Sequence, residues 1–294
     1  MFPTKLSIWK MAIRPKTLPA AISPVLVGIG FAVHFSQFAI GPSIAALIGA
    51  LLLQISSNLS NDYFDHLRGH DTSERKGPQR VMSSGLLTPK EMKFGMLIVI
   101  LLAILDGLYL IYIGGLVILL IGVFSIISSL AYSGGPYPLS SHGLGDIFVF
   151  VFFGLIAVNG TYFVQAKQFE LAVFIGSIPI GFLITAILVV NNYRDMETDK
   201  STNKKTLVVR WGLEKSQFYF SFIVISSYFI PIILILFFNF SLALLLPLIS
   251  IVKANSIITQ LKTLKGPALN KTLGSTAQLS LIFGILFTIG LLWS

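Results

Sequence analysis

Two stretches of this chain gather oxygen-bearing side chains at helical spacing. The first runs from Asn58 to Asp71 and carries Asn58, Asn61, Asp62, Asp65 and Asp71. The second runs from Asn191 to Asp199 and carries Asn191, Asn192, Asp195, Glu197 and Asp199. Asn61-Asp62-Tyr63-Phe64-Asp65 and Asn191-Asn192-Tyr193-Arg194-Asp195 share the frame Asn-x-Tyr-x-Asp. Residues four apart share a helix face, which pairs Asn58 with Asp62, Asn61 with Asp65, and Asn191 with Asp195 and Asp199. Carboxylates this close repel one another unless a cation stands between them. Oxygen-only ligands suit a hard ion such as Mg²⁺, which keeps several waters and bridges readily to phosphate. Two such clusters can hold two ions around a diphosphate and neutralise it as a bond to it breaks. The candidate metal ligands are therefore Asn61, Asp62, Asp65, Asp71, Asn191, Asp195 and Asp199, with Asp65 and Asp195 as the catalytic pair. Polar and cationic residues lie within and after each cluster. Lys76 and Arg80 follow the first, and Asn192, Arg194, Lys204 and Lys205 belong to the second, as candidate diphosphate contacts.

The elements that position these clusters must be membrane helices. Of the 294 residues, 54% are hydrophobic and 11% charged, against about 25% charged in an ordinary soluble domain. The expectation is a single all-α, polytopic membrane bundle over residues 1–294, with no removable signal peptide. The chain has no cysteine, which excludes disulfides, thiolate metal sites and cysteine nucleophiles. The net charge of +9 does not indicate a nucleic-acid partner, because the basic residues flank apolar spans, where they set topology and meet lipid phosphates. Seven of the twelve acidic residues (Asp62, Asp65, Asp71, Glu74, Asp195, Glu197 and Asp199) fall in the two clusters, which sets them apart from solubilising decoration.

Nine spans are predicted, at 18–38, 42–65, 91–112, 115–133, 144–164, 171–195, 216–238, 241–261 and 272–293. Gly41-Pro42, Gly114-Gly115 and Gly134-Gly135-Pro136 mark breaks between them. With nine spans, 20 of the 21 basic residues fall on one side, including Arg68, Arg75, Lys90 and Lys93 in the loop after the first cluster; only Lys167 falls on the other. The positive-inside rule makes the basic side cytoplasmic. The N-terminus and a polar cap carrying both clusters are then inside, and the C-terminus outside.

The frame Asn61-x-x-x-Asp65 with Asp71, paired with Asn191-x-x-x-Asp195-x-x-x-Asp199, resembles the two aspartate-rich motifs of the UbiA-type intramembrane prenyltransferases. The gap of six between Asp65 and Asp71, where the superfamily pattern often has four, resembles the branch that prenylates 1,4-dihydroxy-2-naphthoate. So do Arg14-Pro15-Lys16-Thr17-Leu18-Pro19-Ala20, Gly77-Pro78-Gln79-Arg80-Val81 and Tyr132-Ser133-Gly134-Gly135-Pro136 with Gly143-Leu144-Gly145-Asp146. The resemblance covers nearly the whole chain. It implies Mg²⁺-dependent transfer of a polyprenyl group from a polyprenyl diphosphate to 1,4-dihydroxy-2-naphthoate, with loss of CO₂, giving demethylmenaquinone in a bacterial inner membrane. The resemblance offers Arg14, Lys16, Asn58, Tyr132 and Asp146 as candidates for binding the acceptor. A phytyl donor, or another aromatic acceptor such as 4-hydroxybenzoate, are rivals within the class. A cation or phosphate transporter is the rival from another class, and would require acids near the bilayer midplane.

Polar residues inside other spans read as structural. Gln54, Asn159 and Asn255 are expected to tie helices together, Asp106 to make an interhelical hydrogen bond or to stand as a protonated structural acid, Lys253 to snorkel, and His34 to lie on the outer side. The 24 Phe and 9 Tyr could line a cation's path, but nothing in the sequence separates those facing a cavity from those facing lipid.

Overall fold

The computed structural model describes residues 4–71 and 76–294, so Glu74 and Arg75 lie outside the described residues. Helix is the only regular structure among the described residues. The helices are α1 (Lys5–Ile13), α2 (Pro19–His34), α3 (Ile40–Leu67), α4 (Pro89–Ala131), α5 (Gly145–Val149), α6 (Ala157–Ala166), α7 (Leu171–Ser201), α8 (Leu207–Ser226), α9 (Ile230–Phe238), α10 (Ile251–Thr263) and α11 (Leu269–Leu292). A π-helical segment, Phe150–Ile156, joins α5 to α6. The starts follow from the sequence. Thr88 and Glu91 cap α4 reciprocally around Pro89, and the Thr206 hydroxyl accepts from the Val209 N–H at the head of α8. Helix is forced in the interior because the bilayer offers backbone groups no other partner.

Seven helices, counted by length and apolarity, are able to cross a membrane, and an eighth arises if α1 and α2, bent by 50°, are taken as one crossing. The sequence reading expects nine. The difference lies in α4, which runs as one 43-residue helix and contains two of the expected spans. Straight, it would extend roughly 65 Å, about twice the hydrocarbon thickness. It is not straight. Gly115 has φ 66° and ψ −150°, a conformation essentially reserved for glycine. The first arm runs antiparallel to α3, with Lys93 over the Tyr63 ring and Tyr109 against Gly41. The second runs parallel to it, with Ser129 beside Ser56 and Asn61 bonded to Ser133. The chain therefore reverses at Gly115.

The bundle centres on α7, two thirds of whose apolar window is buried, whereas only 11% of that of α4 is buried. Exposed Leu, Ile and Phe on α4 mark it as the lipid-facing rim. Core contact comes from close approach, since lipid removes the hydrophobic drive between helices. A Cβ on Gly154 would fall 2.5 Å from the Gly181 Cα, so only glycine lets the π-helical segment lie directly on α7. The expected interhelical ties are placed differently. Gln54 bonds Asn58 one turn along its own helix, Asn159 bonds the Leu155 carbonyl, and Asn255 is exposed. In an apolar span, a neighbouring turn is the nearest partner for an amide. Asp106 does face α3 at Gly49, but its Oδ2 makes no hydrogen bond.

Candidate active site

The last turns of α3 form the first half of the site. Asn61 donates to the Ser133 hydroxyl at 3.0 Å and accepts from Arg80 through its carbonyl. Asp65 lies 3.7 Å from the Arg80 guanidinium and 3.5 Å from His70 Nδ1. Arg80, 7% exposed, also lies 3.7 Å from Asp71. One buried guanidinium thus draws the segment after α3 back over the helix end.

The last turns of α7 form the second half. The Arg194 guanidinium holds both oxygens of Asp195, at 2.8 and 2.5 Å. It also donates to the Asn191 carbonyl at 2.8 Å and to Asn270 of α11 at 2.7 Å. All of these partners are oxygen, and the arginine is 2% exposed. It orients the second motif and has little left for a phosphate.

Lys204 joins the halves, its ammonium standing 3.9 Å from Asp65 and 3.9 Å from Asp199. Lys76, read as a phosphate contact, pairs with Glu197. Asn270 donates to the Lys76 carbonyl at 3.1 Å while accepting from Arg194, so one amide fastens the segment after the first motif to the second motif.

Both halves open on a cavity of about 1020 Å³. Its polar end is lined by Asn58, Asn61, Asp65, Arg80, Asn191, Asn192, Arg194, Asp195, Asp199 and Lys204, together with Arg14, Lys16 and Tyr132. Its remainder is mostly apolar, running past Pro24, Ala50, Leu110, Ile118, Phe152 and Ile184, with Asp106 and Gln54 among its polar exceptions. Five of the expected residues do not line it. Asp62 is buried and accepts from the Val81 N–H at 3.2 Å, holding the cap segment. Asp71 stands 3.7 Å from Arg80, behind the cavity wall. Lys76 serves Glu197, and Lys205 lines a separate cleft of about 320 Å³ beside Arg68 and His142. Asp146 is buried at the head of α5, one residue after Gly145, which abuts the Tyr132 hydroxyl.

Among the acceptor candidates, Asn58 is already engaged. It donates to the Ile13 carbonyl at 2.8 Å and the Thr17 hydroxyl at 2.9 Å, and accepts from Gln54. It pins the bend between α1 and α2, where Arg14 sits at φ 55° on the cavity wall. A left-handed arginine held by its neighbours is the kind of backbone strain found at binding sites. Tyr132 is buried near Asp146, Asp65 and Asp199. Burial first, and those carboxylates second, hold its phenol far above the usual tyrosine value, so it keeps its proton.

Among the described residues no three Asp, Glu or His side chains converge closely enough to hold a metal ion alone. The acids are divided between two helices, with the ammonium of Lys204 between them. Asp199 Oδ2 is buried without a hydrogen-bond partner, an anionic oxygen whose burial favours a cation beside it. Oxygen donors on two facing helix ends fit a hard dication whose shell is completed by phosphate and water. Sequence reasoning missed Asn270, Ser133 and His70. An asparagine at the start of a last span carries no signal of its own, because its partners come from 76 and 194 residues away in the chain.

The profile of the UbiA prenyltransferase family matches residues 21–282. The chain is similar to the 1,4-dihydroxy-2-naphthoate octaprenyltransferase of Haemophilus influenzae, with 34% identity covering 99% of this chain and 98% of that protein. It is similar also to the protein of the same name from Escherichia coli, with 35% identity covering 99% and 97%. In fold it resembles a UbiA homologue from Archaeoglobus fulgidus, solved bound to DMAPP and Mg²⁺, with TM-score 0.69 and 15% identity over 96% of this chain and 99% of that one. The chain belongs to the UbiA prenyltransferase family.

Proposed function

We propose that the protein transfers a polyprenyl group from a polyprenyl diphosphate to 1,4-dihydroxy-2-naphthoate, with loss of CO₂, giving the prenylated naphthoquinol, the reduced form of demethylmenaquinone. The observation that carries this reading is the cavity: two oxygen-rich helix ends face each other at one end, and a mostly apolar wall makes up the rest. A diphosphate fits the first and its hydrocarbon tail the second. Full-length similarity to two naphthoate octaprenyltransferases supports the choice of acceptor.

Asn61, Asp65, Asn191, Asp195 and Asp199 would hold Mg²⁺, which when bound neutralises the diphosphate as it leaves. Arg80 and Lys204 supply direct positive charge to the same anion. The bond from the donor carbon to the diphosphate oxygen breaks, and its electron pair leaves with the diphosphate. The naphthoate ring supplies the pair for the new carbon–carbon bond, and departure of the carboxylate as CO₂ returns a pair to the ring. Arg14 and Lys16, on the cavity wall, are placed for the acceptor carboxylate, and Tyr132 offers a protonated hydroxyl. The apolar wall excludes water that would quench the cation. A transporter would need its acids at mid-span in broken helices; of the acids that line the cavity, Asp65, Asp195 and Asp199 lie at helix ends and Asp106 at mid-span.

The test is incubation of membranes carrying the protein with the naphthoate, a polyprenyl diphosphate and Mg²⁺. Prenylated naphthoquinol should form, and Asp195→Ala should lower turnover by about a hundred- to a thousandfold, on the scale of lost electrostatic stabilisation at a reacting centre. Prenylation of a different aromatic acid alone would overturn the acceptor assignment. Full turnover in Asp195→Ala would overturn the metal assignment.

A further inference from the structure

Of the many aromatic residues in the chain, four line the cavity among the described residues: Tyr132, Phe148, Phe152 and Phe153. All four lie on one wall. The three phenylalanines come from α5 and the π-helical segment Phe150–Ile156. Phe148 and Phe152 are stacked, with ring centroids 5.8 Å apart and planes 14° from parallel. Both are half-buried, with cavity on one side.

Their depth is set by α7. A Cβ on Gly145 would fall 3.4 Å from Leu188, one turn from Asn191, and Gly154 lies on Gly181. Phe148 and Phe152 fall between those two contacts. They therefore line the apolar wall in the first two turns after the Gly145 contact, along the path that the first carbons of a donor bound at the carboxylates would take. The π-helical backbone helps to place them. Its i→i+5 pairing brings residues five apart onto one face, so Phe148 and Phe153 can both border the cavity around Phe152. Wide π-turns occur often at functional sites, since they trade regular pairing for a shifted side-chain register. Phe150, within the same segment, turns away and meets Phe182 of α7, with centroids 5.2 Å apart.

We propose that Phe148 and Phe152 are catalytic residues: their ring faces stabilise the allylic cation formed when the donor's carbon–oxygen bond breaks. The ring face carries negative potential and attracts a cation most strongly where water is excluded. No carboxylate is needed at this depth, where one would capture the cation as an ester. The electron pair of the broken bond stays with the diphosphate, and the rings accept no bond. They lower the energy of the cation until the acceptor ring attacks. This inference rests on the prenyl-transfer reading, so its test measures diphosphate release with and without the naphthoate.

The experiment replaces Phe148, and separately Phe152, by phenylalanines bearing one, two and three ring fluorines. Shape is nearly kept while the ring's negative potential falls. Turnover should drop stepwise with fluorine number, by about tenfold over the series. KM for the donor should stay constant, and the share of donor lost to free prenyl alcohol should rise. The same series at Phe150 should be flat. A flat series at both Phe148 and Phe152 would overturn the proposal, whatever Phe→Leu does to folding. Stepwise loss of diphosphate release without acceptor, in a protein that prenylates no naphthoate, would uphold the aromatic role and overturn the acceptor assignment instead.

Discussion

Asn270 does two tasks with one amide, accepting from Arg194 and donating to the Lys76 carbonyl. Asn270→Ala removes an acceptor from a buried guanidinium that aligns Asp195 and Asn191. A hydrogen bond to a charged group contributes about 2 kcal/mol, which converts to roughly 30-fold in kcat/KM. Asn270→Asp keeps the acceptor and loses only the donor to the cap, so it should recover most of kcat while the donor KM stays raised. Steady-state kinetics of both variants check this; equal, small losses in the two would show that Arg194 needs no such brace. The same scale shows what the sequence could tell. The frame Asn-x-Tyr-x-Asp pairs Asn61 with Asp65 and Asn191 with Asp195 on shared helix faces, and all four line the cavity, because helical spacing fixes which side chains share a face. It did not distinguish Asp62, which lies on the far side and holds Val81, nor Arg194, whose partner is its own neighbour Asp195. Spacing gives the face, and partners come from other helices.

At the scale of elements, α4 shows how one residue reverses a helix. Gly115 alone has the dihedrals for the turn, and no atom stands within 4 Å of the place a Cβ would take there, so the obstacle to substitution is backbone strain and not space. Gly115→Ala should cost about 1–3 kcal/mol. A detergent-solubilised variant should melt several degrees lower, with kcat at low temperature unchanged because the turn is remote from the carboxylates; thermal unfolding and an activity assay measure the two effects. Spans were legible from apolar runs and from turn pairs such as Gly114-Gly115. The π-helical segment was not, because Phe150-Val151-Phe152-Phe153-Gly154-Leu155-Ile156 is uniformly apolar and a shift of one residue in its pairing leaves no mark in such a run. The aromatic wall stayed hidden for the same reason.

At the scale of the molecule, the described basic residues gather towards the end of the bundle that carries the motifs, with Lys167 at the far end beside Glu170. The orientation we propose from this asymmetry has the carboxylates in the cytoplasm. The chain has no native cysteine, so single-cysteine labelling needs no altered background. Gln168→Cys, exposed in the short loop after α6, should react with an impermeant maleimide in intact cells. Ser201→Cys, exposed at the end of α7, should react only after permeabilisation; the reverse pattern would invert the topology. Charge also links the two halves of the site. Lys204 lies 3.9 Å from both Asp65 and Asp199, so two facing carboxylates on separate helices share an ammonium drawn from the chain itself. The chain thus places a positive charge of its own between the two motifs. One side chain therefore weighs on both halves of the site at once, and a change of charge at that single position reaches two helices together.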